Sequence, residues 1–378
     1  MVLSLSLLRH RLRAEREQAR RSDDDPGGAR PEGRLLWAHF GQDTDPRGAL
    51  LVLDRVVQGY GDLAVLTTGR PEDASPGPVD TPGAAARFLD HWRPDLALFV
   101  GTDVFPRLWG EARRRGLPLL AAETRTARHP AALVREMAHF DAILAAEPDP
   151  RLGPAAEAVG RLSIVPAPPA ADHRVVERMK ESLTTRPLWL AIDVPAAEVK
   201  AVLAAHGAAG HLSHRLILVL APAAGAAEAV RDGVAAAGHR VVSRREGEMP
   251  GPEDTVILAD NPHEIGIWLR LAPATFLGGT LAGEGPATSP FVPVSLGSAL
   301  IHGPRRRWAE SALLRLHSGG AARRIAGSAE LAGEVERLLD PEAAADLARA
   351  GWTVTSEGAE ASARLVEVIE DTLAGIDP

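Results

Sequence analysis

The sequence predicts an α/β protein built from two Rossmann-like, doubly wound domains facing a cleft, and three observations point there. At 378 residues the chain exceeds what one hydrophobic core commonly serves, since single cores stop growing at roughly 250 to 300 residues. From Arg34 onward, short β-rich apolar runs alternate with longer helical patterns, as βαβ units of a parallel sheet require. A proline-rich break at Pro166, Pro168 and Pro169 interrupts the alternation, which restarts at Pro187. The expected layout is an arginine-rich N-terminal segment at 1–33, a first domain at 34–165, a linker at 166–186, a second domain at 187–355, and a helix at 356–378 crossing back to the first domain.

In chain order, strands are expected at Leu35–Phe40, Leu63–Thr67, Asp95–Val100, Leu117–Ala122, Asp141–Ala146 and Leu162–Val165. Amphipathic helices are expected between them, at Gly83–Trp92 and Arg107–Arg115. After a helical stretch at Arg174–Leu183, the second half repeats the pattern. Its strands are expected at Leu188–Ile192, Leu216–Leu220, Arg240–Ser243, Thr255–Ala259, Thr275–Leu277 and Ala299–His302. Helices at Glu330–Leu339, Glu342–Ala350 and Ser356–Leu373 close the chain. Doubly wound sheets bind ligands at the carboxyl ends of their strands, so the site should be built from post-strand loops.

A formal charge of −8 and a pI near 5.9 leave no electrostatic footprint for nucleic acid, which is set aside as a partner. The chain has no cysteine, which excludes disulfides, thiolate nucleophiles and cysteine-ligated zinc. His206, His211 and His214 read as surface residues with no supporting carboxylates, so no metal or other cofactor is expected. The apolar start, Met1–Leu8, is too short for a secretory core, and no segment reaches the ~20 apolar residues of a membrane span. Arg9, Arg11, Arg13, Arg16, Arg20 and Arg21 suit either an interfacial helix on anionic lipid or a solvated helix.

Three collinear stretches carry a family resemblance. Arg93–Leu120, RPDLALFVGTDVFPRLWGEARRRGLPLL, resembles the "RPD, strand, acidic pair, WP, EARRRGIPL" segment of the 3-deoxy-D-manno-octulosonic acid (Kdo) transferases. Asp260 and Glu264, in ADNPHEIGIWLRLAPATFLGG, match that family's Asp, three intervening residues, then a Glu opening a helix. Phe276–Pro304, FLGGTLAGEGPATSPFVPVSLGSALIHGP, is similar to its glycine-rich donor loop and the "NPLEPAALG…GP" segment that follows. The resemblance implies the GT-B glycosyltransferase fold, an acceptor-side first domain and a donor-binding second domain. It also implies transfer of Kdo or a related sugar from a CMP-activated donor to a lipid A-like acceptor. The protein would then lie in the cytoplasm or peripherally at the cytoplasmic face of a bacterial inner membrane.

A phosphate can sit near Gly278, Gly279 and Thr280, because adjacent glycines let backbone N–H groups approach an anion, and it is the resemblance that favours this reading. The bland alternative is a tight turn after a buried strand. Arg305, Arg306 and Arg307 form an anion-binding cluster or the start of a solvated helix.

Departures from the family pattern are as informative. Its "small, x, Gly, Glu" loop, whose Glu is the implied general base, reads His39, Phe40, Gly41, Gln42 here, and a glutamine takes no proton at neutral pH. Asp43 and Asp45 follow closely, either as substitute bases or as caps of a helix starting near Arg47, with Pro46 at its head. The acidic pair survives only as Asp103. Ala191, Ile192 and Asp193 replace a Ser/Thr–His run, Ala221–Ala224 replaces Arg-His-Pro, and Ser289 and Val292 stand where an Asn and a Glu are expected. The candidate set is therefore Asp43, Asp45 and Asp103 for catalysis, and Gly41, Gln42 and Arg125 for the acceptor. Gly278, Gly279, Thr280, Ser289, Asp260, Glu264, Arg305 and Arg306 are the donor candidates. Two other readings stand beside this one: a non-catalytic binding or regulatory member, and another two-Rossmann nucleotide-sugar enzyme such as an epimerase.

Overall fold

The computed structural model describes residues 28–70, 77–183, 186–211, 213–283, 285–305 and 309–376. The chain divides into two compact units: everything up to Ile164 together with the stretch from Glu357 onward, and Val165–Ser356.

The first unit runs β1 (Arg34–Phe40), α1 (Arg47–Gly59), β2 (Leu63–Gly69), α2 (Pro82–Trp92), β3 (Leu96–Val100), α3 (Pro106–Arg114), β4 (Leu119–Thr124), α4 (Ala131–Met137), β5 (Ala142–Ala145) and β6 (Ala156–Ala158). Its six strands pair in the order β2-β1-β3-β4-β5-β6, every pair parallel. The second unit runs α5 (His173–Leu183), β7 (Leu188–Val194), α6 (Ala196–Gly210), β8 (Ile217–Pro222), α7 (Ala227–Ala236), β9 (Val242–Ser243), β10 (Val256–Leu258), α8 (Ile265–Leu271), β11 (Ala274–Leu277), α9 (Phe291–Ser295), β12 (Ala299–His302), α10 (Glu310–Ser318), β13 (Ala322–Arg324), α11 (Ser328–Leu338) and α12 (Pro341–Ser356). Its seven strands are ordered β13-β12-β11-β7-β8-β10-β9, again all parallel. A last helix, α13 (Ala359–Ala374), belongs to the first unit.

Strands covered on both faces must be apolar throughout, which is why Leu35, Leu36, Trp37 and Ala38 run without a polar interruption. Trp37, Phe88, Phe99 and Trp109 fill one face of the first sheet. Leu36, Val52 and Leu98 fill the other, closed by Leu365, Ile369 and Leu373 of α13. In the second unit Trp189, Leu218, Leu258, Phe276 and Ile301 form the corresponding core beneath α6 and α11. Helix starts follow their local chemistry: the Thr81 hydroxyl accepts the Ala84 N–H, and Pro82 occupies the first turn of α2.

Leu162–Val165 is not the sixth strand. That place is taken by the short β6, which pairs with β5 through Ala156, Glu157 and Ala158. The donors of the Leu162 segment are captured by side chains instead: Leu162 N–H bonds Glu123 at 2.9 Å and Ser163 N–H bonds the Ser362 hydroxyl at 2.8 Å. Gly358 lies against this segment with φ 79°, where a Cβ would stand 2.5 Å from the Arg161 carbonyl, so only glycine fits. His206 is likewise no surface residue. It falls on the inward stripe of α6 with Val199, Val202 and Leu203, is buried, and receives the Trp189 indole N–H at 3.3 Å.

Candidate functional site

In the first sheet β1 is flanked by β2 and β3, so the chain leaves it in opposite directions on its two sides. Ligands of open α/β sheets sit at the carboxyl end of such a switch point. Two loops meet there. Gly41 N–H bonds the Val100 carbonyl at 2.9 Å, and a Cβ on Gly41 would lie 3.3 Å from both Asp103 Cγ and Thr102 N. The glycine thus lets the post-β3 loop, with its carboxylate, close onto the end of β1.

His39 is the last polar group of β1 before this turn and is buried among Phe99 and Phe105. Its Nδ1 is 3.0 Å from Thr68 Oγ1, and its Nε2 is 3.4 Å from Asp103 Oδ2. The Trp37 indole N–H in turn donates to Thr68 Oγ1 at 2.8 Å. Asp103 keeps 29% of its side chain open to solvent, against 7% for His39, so the carboxylate is the accessible member of the pair. In the loop that follows β1 and at the end of β4, Thr44 Oγ1, Thr124 Oγ1 and Arg125 Nε are buried with no hydrogen-bond partner among the described residues. Unsatisfied buried groups at a strand's carboxyl end are what a binding site leaves open for ligand or water.

The other first-unit candidates divide. Asp43 and Gln42 are exposed, and the Gln42 carbonyl accepts from Arg70 at 2.8 Å. Asp45 is committed to its own helix: it accepts the Arg47 N–H at 3.1 Å and the Arg47 guanidinium at 2.7 Å, whose side-chain bonds hold its carboxyl below the usual range. Of the two readings that its sequence position offered, these bonds show a local tie to the start of α1. Glu123, which no motif marked, sits at the carboxyl end of β4 with φ 50° at a register shift between Ala122 and Thr124. Its carboxyl is buried; desolvation pushes its pKa up, partly offset by the Leu162 N–H and by Arg125 and Arg161.

In the second unit the switch point lies between β7 and β11, and the glycine-rich loop follows β11. Gly278 bonds the Ile192 carbonyl at 2.8 Å, and a Cβ there would be 2.6 Å from the Asp193 carbonyl. The loop's N–H groups do converge, but on a carboxylate of the chain itself. Glu198, 1% exposed, accepts Gly279 N–H at 2.9 Å, Leu281 at 2.8 Å, Ala282 at 2.6 Å and Gly283 at 3.3 Å. The nest exists, and Glu198 fills it. The Thr280 hydroxyl is spent too, donating to the Leu277 carbonyl while accepting the Gly303 N–H at 2.8 Å.

Asp260 and Glu264 are also internally paired. Asp260 accepts from Ser243 at 2.8 Å, from Arg245 N–H at 2.8 Å and from Arg231 at 3.3 Å. Burial opposes its ionisation, but those donors carry its pKa below the ordinary value. Glu264 takes both prongs of Arg244, at 2.9 and 3.0 Å. Both carboxylates are thus tied into the segments that follow β9 and β10. Asp193, with φ 56°, holds the following loop by accepting Thr288 N–H at 2.7 Å, which leaves Ser289 beside it half-buried. Arg305 donates to the Gly283 carbonyl at 3.2 Å. Arg306, and the arginine-rich stretch Arg9–Arg21, lie outside the described residues.

His39, Thr68, Glu123 and Glu198 escaped sequence reasoning. A histidine closing an otherwise apolar strand, and a glutamate on the inward stripe of an alanine-rich helix, were the available signals.

Residues 61–149 match the family model of 3-deoxy-D-manno-octulosonic-acid transferase (kdotransferase). The chain is 28% identical over 320 residues to the 3-deoxy-D-manno-octulosonic acid transferase of Bordetella pertussis, covering 78% of this chain and 73% of that one. It is 23% identical over 317 residues to the Haemophilus influenzae enzyme of the same name, with 78% and 74% covered. Among solved structures, the C-terminal CMP-Kdo binding domain of WaaA from Acinetobacter baumannii aligns with 48% of this chain and 96% of its own, at 19% identity and a TM-score of 0.44.

Proposed function

We propose that this chain, a member of the 3-deoxy-D-manno-octulosonic acid transferase family, transfers Kdo or a related sugar from a CMP-activated donor to a lipid A-like acceptor, using Asp103 as general base. The observation that carries the reading is the Asp103 carboxylate, held against Gly41 at the switch point of the first sheet and still open to solvent. In the step assigned to it, an acceptor hydroxyl attacks the donor's anomeric carbon and its proton passes to Asp103. The bond from that carbon to the phosphate oxygen breaks, and CMP leaves with the bonding electrons. Positioned bases of this kind contribute ~10²- to 10⁴-fold. Arg125, with its buried and unpartnered Nε, is the acceptor-side cation.

On the donor side, Ser289 and Arg305 replace the glycine-rich nest as the contacts to CMP, because Glu198 already takes the N–H groups of that nest. Arg306, adjacent in sequence, would join them. An acceptor of this class puts the reaction at the cytoplasmic face of a bacterial inner membrane. A non-catalytic binding protein of the same fold is the second reading, and the filled nest is the observation that favours it.

Calorimetric titration with CMP separates the two. The transferase reading expects saturable binding that weakens at least about tenfold in Arg305→Ala, since one charge-assisted contact is worth ~1.5–3 kcal/mol. Folded protein that binds no CMP would leave the non-catalytic reading standing.

A further inference from the structure

Donor chemistry and the acceptor-only carboxylate of Asp103 together favour one hydrogen-bond direction through the buried chain beside it. An indole N–H only donates, so Trp37 Nε1–H occupies an acceptor position on Thr68 Oγ1. The one proton of the Thr68 hydroxyl is then free to point at His39 Nδ1, 3.0 Å away. A neutral imidazole that accepts at Nδ1 carries its proton on Nε2, and Nε2 faces Asp103 Oδ2. We propose that His39 is a positioning residue of the reaction assigned above: Trp37 and Thr68 hold it in the Nε2–H tautomer, so that it donates to Asp103 and fixes that carboxylate toward the acceptor hydroxyl.

This inference rests on the transferase reading and adds a group that no motif supplied. The surroundings leave His39 little other work. Phe105 packs edge-on at 4.8 Å, Phe99 lies at 5.9 Å, and the backbone of Gly69 and Gly77 closes the remaining side. Of the charged groups nearby, Asp103 comes from the post-β3 loop, while Arg70, just beyond β2, turns its guanidinium to the Gln42 and Thr44 carbonyls. The imidazole is too enclosed to receive the acceptor itself, and Asp103 is the member that reaches solvent. Chemically, the Nε2–H donor occupies one carboxylate oxygen of Asp103 and fixes the direction of the other. When Asp103 takes the acceptor's proton, that proton adds to an oxygen the imidazole does not occupy. His39 therefore orients the base without changing its own charge.

Two readouts test this on the full-length protein. In long-range ¹H–¹⁵N spectra above pH 7.5, the His39 resonances, identified by their loss in His39→Gln, should show a protonated Nε2 and a bare Nδ1. Thr68→Val should abolish that preference. With CMP-Kdo and a lipid A-like acceptor, Asp103→Asn should lose at least ~100-fold in kcat. His39→Leu should lose roughly tenfold in kcat at unchanged KM, and His39→Gln, which keeps a donor, should recover most of it. A protonated Nδ1 in the wild type, or an unchanged kcat in a folded His39→Leu protein, would overturn the inference while leaving the transferase reading intact. A wild-type protein without turnover overturns the transferase reading and the role of His39 with it, whatever the tautomer.

Discussion

At the scale of single residues, two of the three non-glycine residues with left-handed backbone among the described residues stand where strands end, the third, Arg93, closing α2. Glu123 and Asp193 both hold left-handed backbone, with φ 50° and 56°, at register shifts on the carboxyl sides of β4 and β7. A non-glycine residue there costs roughly 1–3 kcal/mol, and such positions cluster at functional sites. Glu123 adds a second cost. Because desolvation raises its folded pKa above the unfolded value, its contribution is fully present below the unfolded pKa and is lost as pH rises through the folded pKa. Glu123→Gln keeps a carbonyl oxygen for the Leu162 N–H and removes the buried charge. Urea melts at pH 7.5 should therefore show the variant more stable than the parent, with the difference vanishing toward pH 4; equal stability at both pH values would refute this. Legibility at this scale was uneven. Gly41 and Asp103 could be named because each falls in its own family-like segment, and the local tie of Asp45 to Arg47 was suggested by Pro46 between them. His39 was not, since a lone histidine at the end of an apolar strand is more often a satisfied core residue, and only the three-dimensional neighbours Thr68 and Asp103 give it a direction.

At the scale of elements, the instructive case is the loop after β11. Its glycines announced a convergence of N–H groups, and the structure has one; what the spacing could not say is that α6, some eighty residues earlier, delivers a carboxylate into it. The same distance problem hides the Leu162 segment: an apolar run of strand composition joins no sheet, and Glu123 and Ser362 take the Leu162 and Ser163 donors. Glu198→Ala strands four backbone donors in a buried turn and should destabilise the second unit by ~3 kcal/mol or more. The localised sign is faster amide exchange at Gly279–Gly283. Unchanged exchange there would mean that the carboxylate does not hold the loop.

At the scale of the whole molecule, the alternation of apolar runs and amphipathic stretches was enough to anticipate eleven of the strands that form, because doubly covered parallel strands leave a continuous apolar signature. The short strands β6 and β13 carry three residues each and have no such signature. The C-terminal helix α13 supplies Leu365, Ile369 and Leu373 to the core of the first unit. Ending the chain before Glu357 should leave that unit without a cooperative melt, while the second unit, which contains none of those residues, still unfolds as one transition. The second unit carries its own pH sensitivity. Burial, reinforced by His239, lowers the His206 pKa to about 4, so its stabilising neutral form is present above the unfolded value near 6.5 and is lost as pH falls toward 4. That loss amounts to at most ~3 kcal/mol and should be absent in a folded His206→Gln variant. The most direct measurement of the central claim is mass spectrometry of a lipid A-like acceptor incubated with CMP-Kdo and either wild-type protein or Asp103→Asn. The account predicts a Kdo-bearing product with the wild type and at least ~100-fold less with the variant. An equal yield from the two would contradict the role of Asp103, and no product from folded wild-type protein would contradict sugar transfer itself.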